Sequence, residues 1–339
     1  MEVKQCIEDI KLFMQTNIIE RSLGRCLNLL EESISNATNV NELLAVFDLA
    51  KSFNRQLNYN NTILFIIIIV CFAGGIFLRA TTEFSESCFF MWGIGISVIG
   101  IVFFRANKVN KIVELLFFKK VLFDNNLAEL KFNKKDAAQA FGQQFVDFQR
   151  GNYSREIHKL VEGMYKNKFS YKYFHFHFVD SYTTTKTNSR GYTETETKYH
   201  NYDRYGIIIK FVGFDAIGIY NYKPKMKGIK WKTSSICFNK IFTTYSRNEK
   251  NIATFLSPKV IEQFEEIAKV FSDLNVEISE DGFLSLSVSD EHLLNFSSKC
   301  GLGNLDKLRR AVEIPINQEK LNIALDFLNF LRDHHSSSF

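Results

Sequence analysis

The chain has 339 residues, enough for two domains or for one domain with a membrane anchor. Its net charge of +5 is spread along the sequence, so no basic stripe forms and no nucleic-acid partner is expected. Cys6, Cys26, Cys71, Cys88, Cys237 and Cys300 make no C-x-x-C pair, a pattern of a reducing compartment without a disulfide framework or cysteine zinc spacing.

Residues 1–60 read as a helical region. Val3, Ile7, Ile10 and Phe13 recur at helical spacing, as do Leu23, Leu27, Leu30 and Ile34. A break follows, then Asn41 as a cap before a third apolar set, Leu44, Phe47 and Leu49.

Two long uncharged runs come next. "NTILFIIIIVCFAGGIFL" ends at Arg79, and "SCFFMWGIGISVIGIVFF" ends at Arg105. Each reaches about 27 Å as a helix, close to the thickness of a hydrocarbon core. Neither alternates, which excludes a half-exposed strand, and neither has the polar edge of a soluble core helix. The expectation is a transmembrane hairpin over 61–105, with spans near 62–79 and 87–104. Lys51 and Arg55 precede it, and Arg105, Lys108, Lys111, Lys119 and Lys120 follow it, while the connector carries Glu83 and Glu86. The positive-inside rule then puts both termini in the cytoplasm. Gly74, Gly75, Gly93, Gly95 and Gly100 read as ordinary membrane-helix glycines, with a packed seam as the alternative.

Residues 106–165 read as a helical stalk. Its basic residues Lys108, Lys111, Lys119 and Lys120, with Arg105 just before it, could rest on anionic lipid. At Phe169 the period changes to two. Phe169, Tyr171, Tyr173, His175 and His177 share one face, and Lys172, Phe174, Phe176 and Phe178 the other. "NSRG" turns the chain at Gly191, and a Thr-rich return strand follows. The ribbon over 180–203 has β propensity and few core residues, so it is expected to stand out from the sheet.

"GIIIKFVGFDAIGIY" reads as a buried strand and "SICFNKIFTTYS" as another. Ser257 caps a helix with Pro258 in its first turn and Val260, Phe264, Ile267 and Phe271 on its apolar face. Asp281-Gly282 makes a tight hairpin, and a helix carrying Leu321, Leu328 and Leu331 closes the chain. Strands and helices run in blocks. The fold class is α+β: an N-terminal helical segment, two transmembrane helices, then a cytoplasmic, mainly antiparallel sheet with flanking helices over 166–339.

Three stretches carry a resemblance. They are "YSREIHKLVEGMYKNKFSYKYFHFHFVDSY", "TETETKYHNYDRYGIIIKFVGFDAIG" and "FTTYSRNEKNIATFLSPKVIEQFEEIAKVFSDLNVEISEDGFLSLSV". Together they resemble an uncharacterised bacterial two-span membrane family carrying domain of unknown function 3137. The resemblance covers less than half of the chain. It implies a membrane-anchored cytoplasmic α+β domain in the bacterial inner membrane and transfers no catalytic residue.

Few constellations carry chemistry. His175, His177 and His200 are three imidazoles on paired strands that could hold a metal, although no carboxylate or cysteine of convincing spacing joins them. "CGLGNLDK" lacks the third glycine of a dinucleotide loop and reads as a plain loop, and the lysines before Trp231 read as a solvated one. No catalytic residue and no cofactor are expected. The sequence points to a membrane-anchored, non-enzymatic binding or assembly module. Thr183, Thr185, Arg190, Tyr192 and Thr195 would meet a protein partner or a second copy. The alternatives are a membrane-associated metal-binding or hydrolytic domain centred on His175 and His177, and a secreted bacterial effector that inserts in a host membrane.

Overall fold

The structure, a computed structural model, describes residues 21–53, 56–81, 85–187, 193–214, 216–224, 228–298 and 300–336. They form two compact units. One takes the described residues up to Asp124 together with Phe296–Ile316, and the other runs from Asn125 to Asn295 and resumes at Asn317. The expected single domain over 166–339 is thereby corrected, because residues 296–316 belong with the N-terminal helices. Val3, Ile7, Ile10 and Phe13 lie outside the described residues.

The first unit is helical. Helix α1 covers residues 21–36, and α2 spans Val40–Ser52. Leu23, Leu27, Leu30 and Ile34 are all buried, as the helical spacing requires. The cap of α2 is Asn39 rather than Asn41. Its side chain accepts the Glu42 N–H at 3.0 Å, and Glu42 reaches back to the Thr38 N–H at 2.7 Å. That start turns Leu43, Val46, Phe47 and Ala50 inward and leaves Leu49 exposed.

Helix α3 spans Thr62–Thr81, and α4 runs unbroken from Ser85 to Asp124. No proline or cap interrupts α4, so the second apolar run and the first part of the expected stalk, to Asp124, are one helix. Its distal half joins a core with α1, α2 and α9 (Leu305–Glu313) through Val109, Ile112, Val113, Leu116 and Phe117. Its basic residues serve that packing. Lys108 donates to Asn28 at 2.7 Å, Lys111 pairs with Glu31 at 2.9 Å, and Arg105 lies over the Tyr59 ring. Lys120 is 2% exposed and pairs with Asp124, whose other oxygen accepts the Ile316 N–H at 2.8 Å. Lys120 is therefore no lipid-surface residue, since a charge this buried persists only with its partner.

Glycines permit close approach of α3 and α4. A Cβ on Gly75 would stand 2.4 Å from the Trp92 indole nitrogen, and one on Gly95 would stand 2.9 Å from the Phe72 ring. Gly93 and Gly100 face open space. Part of the glycine set thus makes a packed seam.

The second unit is built on one antiparallel nine-stranded sheet in the order β1-β2-β3-β4-β9-β8-β5-β7-β6. The strands are β1 (Ala128–Glu129), β2 (Ser154–Tyr165), β3 (Phe169–Thr187), β4 (Thr193–Lys210), β5 (Ile217–Tyr220), β6 (Ile229–Trp231), β7 (Thr243–Ser246), β8 (Asn275–Ile278) and β9 (Phe283–Val288). Between β1 and β2 lie α5 (Lys134–Gln144) and the short turn Asp147–Gln149. Their Ala138, Phe145 and Phe148 pack on Ile157, Leu160, Phe174, Phe176, Phe178 and Ile208 of the sheet. Helices α6 (Ile236–Ile241), α7 (Glu249–Phe255), α8 (Pro258–Val270) and α10 (Glu319–Ser336) complete the unit.

Two readings need correction here. The end of the expected helical stalk is strand β2. A β-bulge between Ile157 and Lys159 inserts one residue, so Ile157, Leu160 and Val161 are all buried. Their spacing copies a helix, although it arises from a strand whose alternation slips once. The strand expected over "SICFNKIFTTYS" begins as α6. Ser235 caps it by accepting the Phe238 N–H at 3.2 Å, and Phe238 and Phe242 are buried one turn apart. The helix at Ser257-Pro258, the hairpin at Gly282 and the closing helix lie where the sequence puts them.

Candidate functional site

Three features of the sheet carry the functional argument. The first is the ribbon. The last pair between β2 and β3 is Ser154 with Val179, and the last between β9 and β4 is Val288 with Tyr205. Beyond them β3 and β4 continue as partners of each other alone, through eight pairs from Asp180–His200 to Thr187–Thr193. Asn152 grips the base, accepting the Ser181 N–H at 2.7 Å and donating to the Ser181 carbonyl at 2.9 Å. Directly paired residues share a face. Past the Ser181–Tyr199 pair at its base, one face of the ribbon is therefore threonine: Thr183 with Thr197, Thr185 with Thr195, and Thr187 with Thr193. All six are exposed. The opposite face carries Tyr182, Lys186, Glu194, Glu196 and Lys198. Thr183, Thr185 and Thr195 were expected at this site, and Arg190 and Tyr192 lie outside the described residues.

The second feature sits where the ribbon leaves the sheet. His175 pairs with Tyr205 and His177 with Asp203 in the ladder, so all four side chains share the face opposite the phenylalanines. Asp203 Oδ1 stands 2.7 Å from His175 Nε2 and 2.9 Å from His177 Nδ1. Burial pushes the Asp203 carboxyl up, but hydrogen bonds from the two rings outweigh it and hold it below the usual carboxylate range. An ionised carboxylate only accepts, so both rings donate to it, His175 from Nε2 and His177 from Nδ1. The bulge of β2 adds a third ring. His158 stacks on His177 with centroids 4.8 Å apart and meets His175 edge-on at 5.0 Å. Donor atoms of His158, His177 and Asp203 lie within 4.8 Å of one another. Burial, and then the neighbouring rings, hold His158 below the usual imidazole range, and burial does the same for His175.

His200 does not belong to this group. It pairs with Asp180 and so faces the other side of the sheet, where its ring nitrogen meets the Tyr182 hydroxyl at 2.8 Å. The expected trio His175, His177 and His200 is corrected by strand parity, because positions 200 and 203 on one strand point to opposite faces. Its place is taken by His158 and Asp203.

The third feature is a buried polar hub on the phenylalanine face. Asp147 accepts from Arg204 Nε at 3.3 Å, Asn275 Nδ2 at 3.1 Å, Tyr222 Oη at 3.3 Å, Arg150 at 3.4 Å and the Ser287 hydroxyl. Arg204 also donates to the Asp273 carbonyl at 2.6 Å and to Ser287 Oγ at 2.8 Å. Burial raises the Asp147 pKa, but the Arg204 and Arg150 guanidiniums, with Ser287 and Asn275, bring it below the ordinary value. Glu277 accepts the Val146 N–H at 2.5 Å and the Asp147 N–H at 2.7 Å. Burial and the negative charge of Asp147 push its carboxyl up to about 8. The hub ties the 146–150 turn to β4, β8 and β9. The sequence reading missed it, since Asp147, Arg204 and Glu277 are scattered and sit in no motif.

Comparison with known proteins finds no protein family, no curated protein and no solved structure that matches this chain. The resemblance noted above rests on the quoted residues alone.

Proposed function

We propose that the protein is a membrane-anchored docking module whose threonine-faced ribbon meets a protein partner. The anchor is α3 with the first half of α4, read as a two-span hairpin with both termini on the cytoplasmic side. Both helices are long and apolar enough to cross a membrane, and only 11% and 17% of their most apolar windows are buried. A core helix of a soluble protein would be covered. Here Phe65, Ile69, Val70 and Phe77 on α3, and Phe89, Phe90, Phe103 and Phe104 on α4, stand exposed. So large an apolar band has lipid as its natural solvent. The basic residues after the second span, against Glu83 and Glu86 in the connector, support the orientation.

The ribbon is the observation that carries the docking reading. Eight residue pairs are held out from the sheet without a core beneath them. Their threonine face is two strands wide, β-branched and uncharged, a pattern suited to another flat surface. Charges on the opposite face disfavour pairing there and give the ribbon a single usable side. The test is a photo-crosslinking residue at Thr185, introduced into the full chain in its native membrane. A discrete adduct that disappears when Thr183 and Thr195 become Asp supports the reading. Crosslinking only to lipid, or an adduct indifferent to those changes, removes it. Extraction by alkaline carbonate would remove the anchor.

A further inference from the structure

We propose that His158, His177 and Asp203 form a binding site for a divalent transition metal, with Zn2+ the best fit, at the root of the ribbon. The proposal does not depend on the docking reading. Two imidazoles and a carboxylate are the nitrogen and oxygen donors that this class of ion prefers. Their candidate donor atoms already lie within 4.8 Å of one another, before any ion draws them together. Two ligands on a tetrahedral ion, each ~2.0–2.1 Å from it, lie roughly 3.3 Å apart. His158 supplies the adjustment. It is the extra residue of the β2 bulge and half exposed, so its ring can turn out of the stack with His177 without moving a strand.

The surroundings assign further roles. His175 donates to Asp203 from Nε2 at 2.7 Å and is itself stacked on Tyr205 at 4.5 Å. It is a positioning residue, holding the carboxylate as an outer hydrogen-bond donor holds a ligand. When the ion binds at Nδ1, the His177 proton now shared with Asp203 moves to Nε2, so the ring stays neutral and the metal takes the proton's place between ring and carboxylate. Three protein ligands leave a fourth position open, and the Asp203 side chain is 40% exposed, so solvent reaches the site. The Glu156 carboxylate stands 3.8 Å from His158 Nε2, close enough to join or to orient that ring.

The location gives the site a consequence. His177 and Asp203 face each other where the ribbon begins: His177 still pairs with β2, while Asp203 lies two residues past the last pair of β4 with β9. A metal there would clamp β2, β3 and β4 together and stiffen the base of the ribbon. Metal binding and ribbon order are then coupled, each favouring the other.

The test uses the full chain without a histidine tag, purified in detergent and stripped with chelator. Zn2+ is titrated against a chromophoric chelator, and Co2+ is used to read coordination from its visible absorption. We expect one equivalent of Zn2+ per chain and a Co2+ spectrum of a four-coordinate site. His177→Gln and Asp203→Asn should each weaken Zn2+ binding by ~100-fold or more, and His158→Gln should do the same. His175→Gln should weaken it by ~10–100-fold, as an outer-sphere partner does. His200→Gln, on the opposite face, should leave it unchanged. Stoichiometry below about one tenth per chain in folded wild-type protein would overturn the proposal. So would full binding by a His158→Gln/His177→Gln double variant. Circular dichroism on each variant separates lost ligands from lost fold.

Discussion

Two aspartates, one docked on β4 and one within it, show how differently one sheet treats a carboxylate on its two faces. Asp147 is docked on the phenylalanine face against Arg204, and Asp203 is the residue before that arginine, pointing the other way. Asp147 is 2% exposed and accepts from five side chains. Asp203 is 40% exposed and accepts from two imidazoles at a single oxygen. The first is satisfied by the protein itself, so it holds structure and has nothing left to offer. The second keeps acceptor capacity beside three polarizable rings, so it can take something from outside. A buried charge is useful for architecture in proportion to how completely it is paired, and for binding in proportion to how incompletely.

The sharpest way to break this comparison is to remove the buried member. Asp147→Ala leaves Arg204 buried with its main acceptor gone, and the 146–150 turn loses its tie to β9. Removing one partner of a buried pair costs about 3–5 kcal/mol. We expect a loss of that size in urea unfolding of the second unit, followed by near-ultraviolet circular dichroism of the full chain in micelles. A change below about 1 kcal/mol would mean that the hub is not a structural tie.

Next comes pH. Glu277 is raised to about 8 in the folded chain, by burial first and the Asp147 charge second, against an ordinary value of 4.5. Between those values the folded state holds a proton that the unfolded state has released. The stabilisation is therefore fully present below pH 4.5 and lost as pH rises through 8. Unfolding midpoints should fall over that window in wild type, and Glu277→Gln should flatten the slope while lowering the midpoint at acid pH. His335 adds the opposite trend at lower pH. Burial among Phe211, Phe214 and Phe255, then the charge of His334, lower it to about 4. Between pH 6.5 and 4 the unfolded state binds the extra proton, so this contribution is lost as pH falls. His335→Phe should remove that acid limb and leave the Glu277 limb in place.

Much of this was legible in the sequence, and the illegible part has a physical cause. The two apolar runs could be read directly, because length and absence of charge are one-dimensional properties. The strand at Phe169 was legible because aromatic alternation is strong. The turn at "NSRG" also held more than the reading took from it. Once β3 and β4 are paired in one register, with Thr187 opposite Thr193, His177 must oppose Asp203, and His200 must oppose Asp180. Parity alone then separates His200 from the other two and brings in the carboxylate. His158 was out of reach, since a bulge is invisible in composition and made β2 look helical. The hub was out of reach for another reason. Asp147, Arg204, Asn275, Glu277 and Ser287 converge only through the sheet order, in which β9 and β8 insert beside β4.

The smallest expected effects sharpen the comparison from its other end. In metal-free protein, Asp203→Asn keeps the shape and one acceptor while removing a charge that water already screens. We expect less than about 1 kcal/mol in the same urea experiment, a fraction of the Asp147→Ala loss. Farther out, the threonine face should matter still less to stability. Thr185→Ala and Thr195→Ala delete side chains that stand exposed on both strands of the ribbon. A cross-strand pair of this kind contributes ~0.2–1 kcal/mol at most, so each single change should stay within about 0.5 kcal/mol. Retained stability together with altered crosslinking would place these threonines in recognition. A cooperative loss well above that bound would mean that the ribbon is bound into the folding of the sheet, and its projection would then need a structural cause.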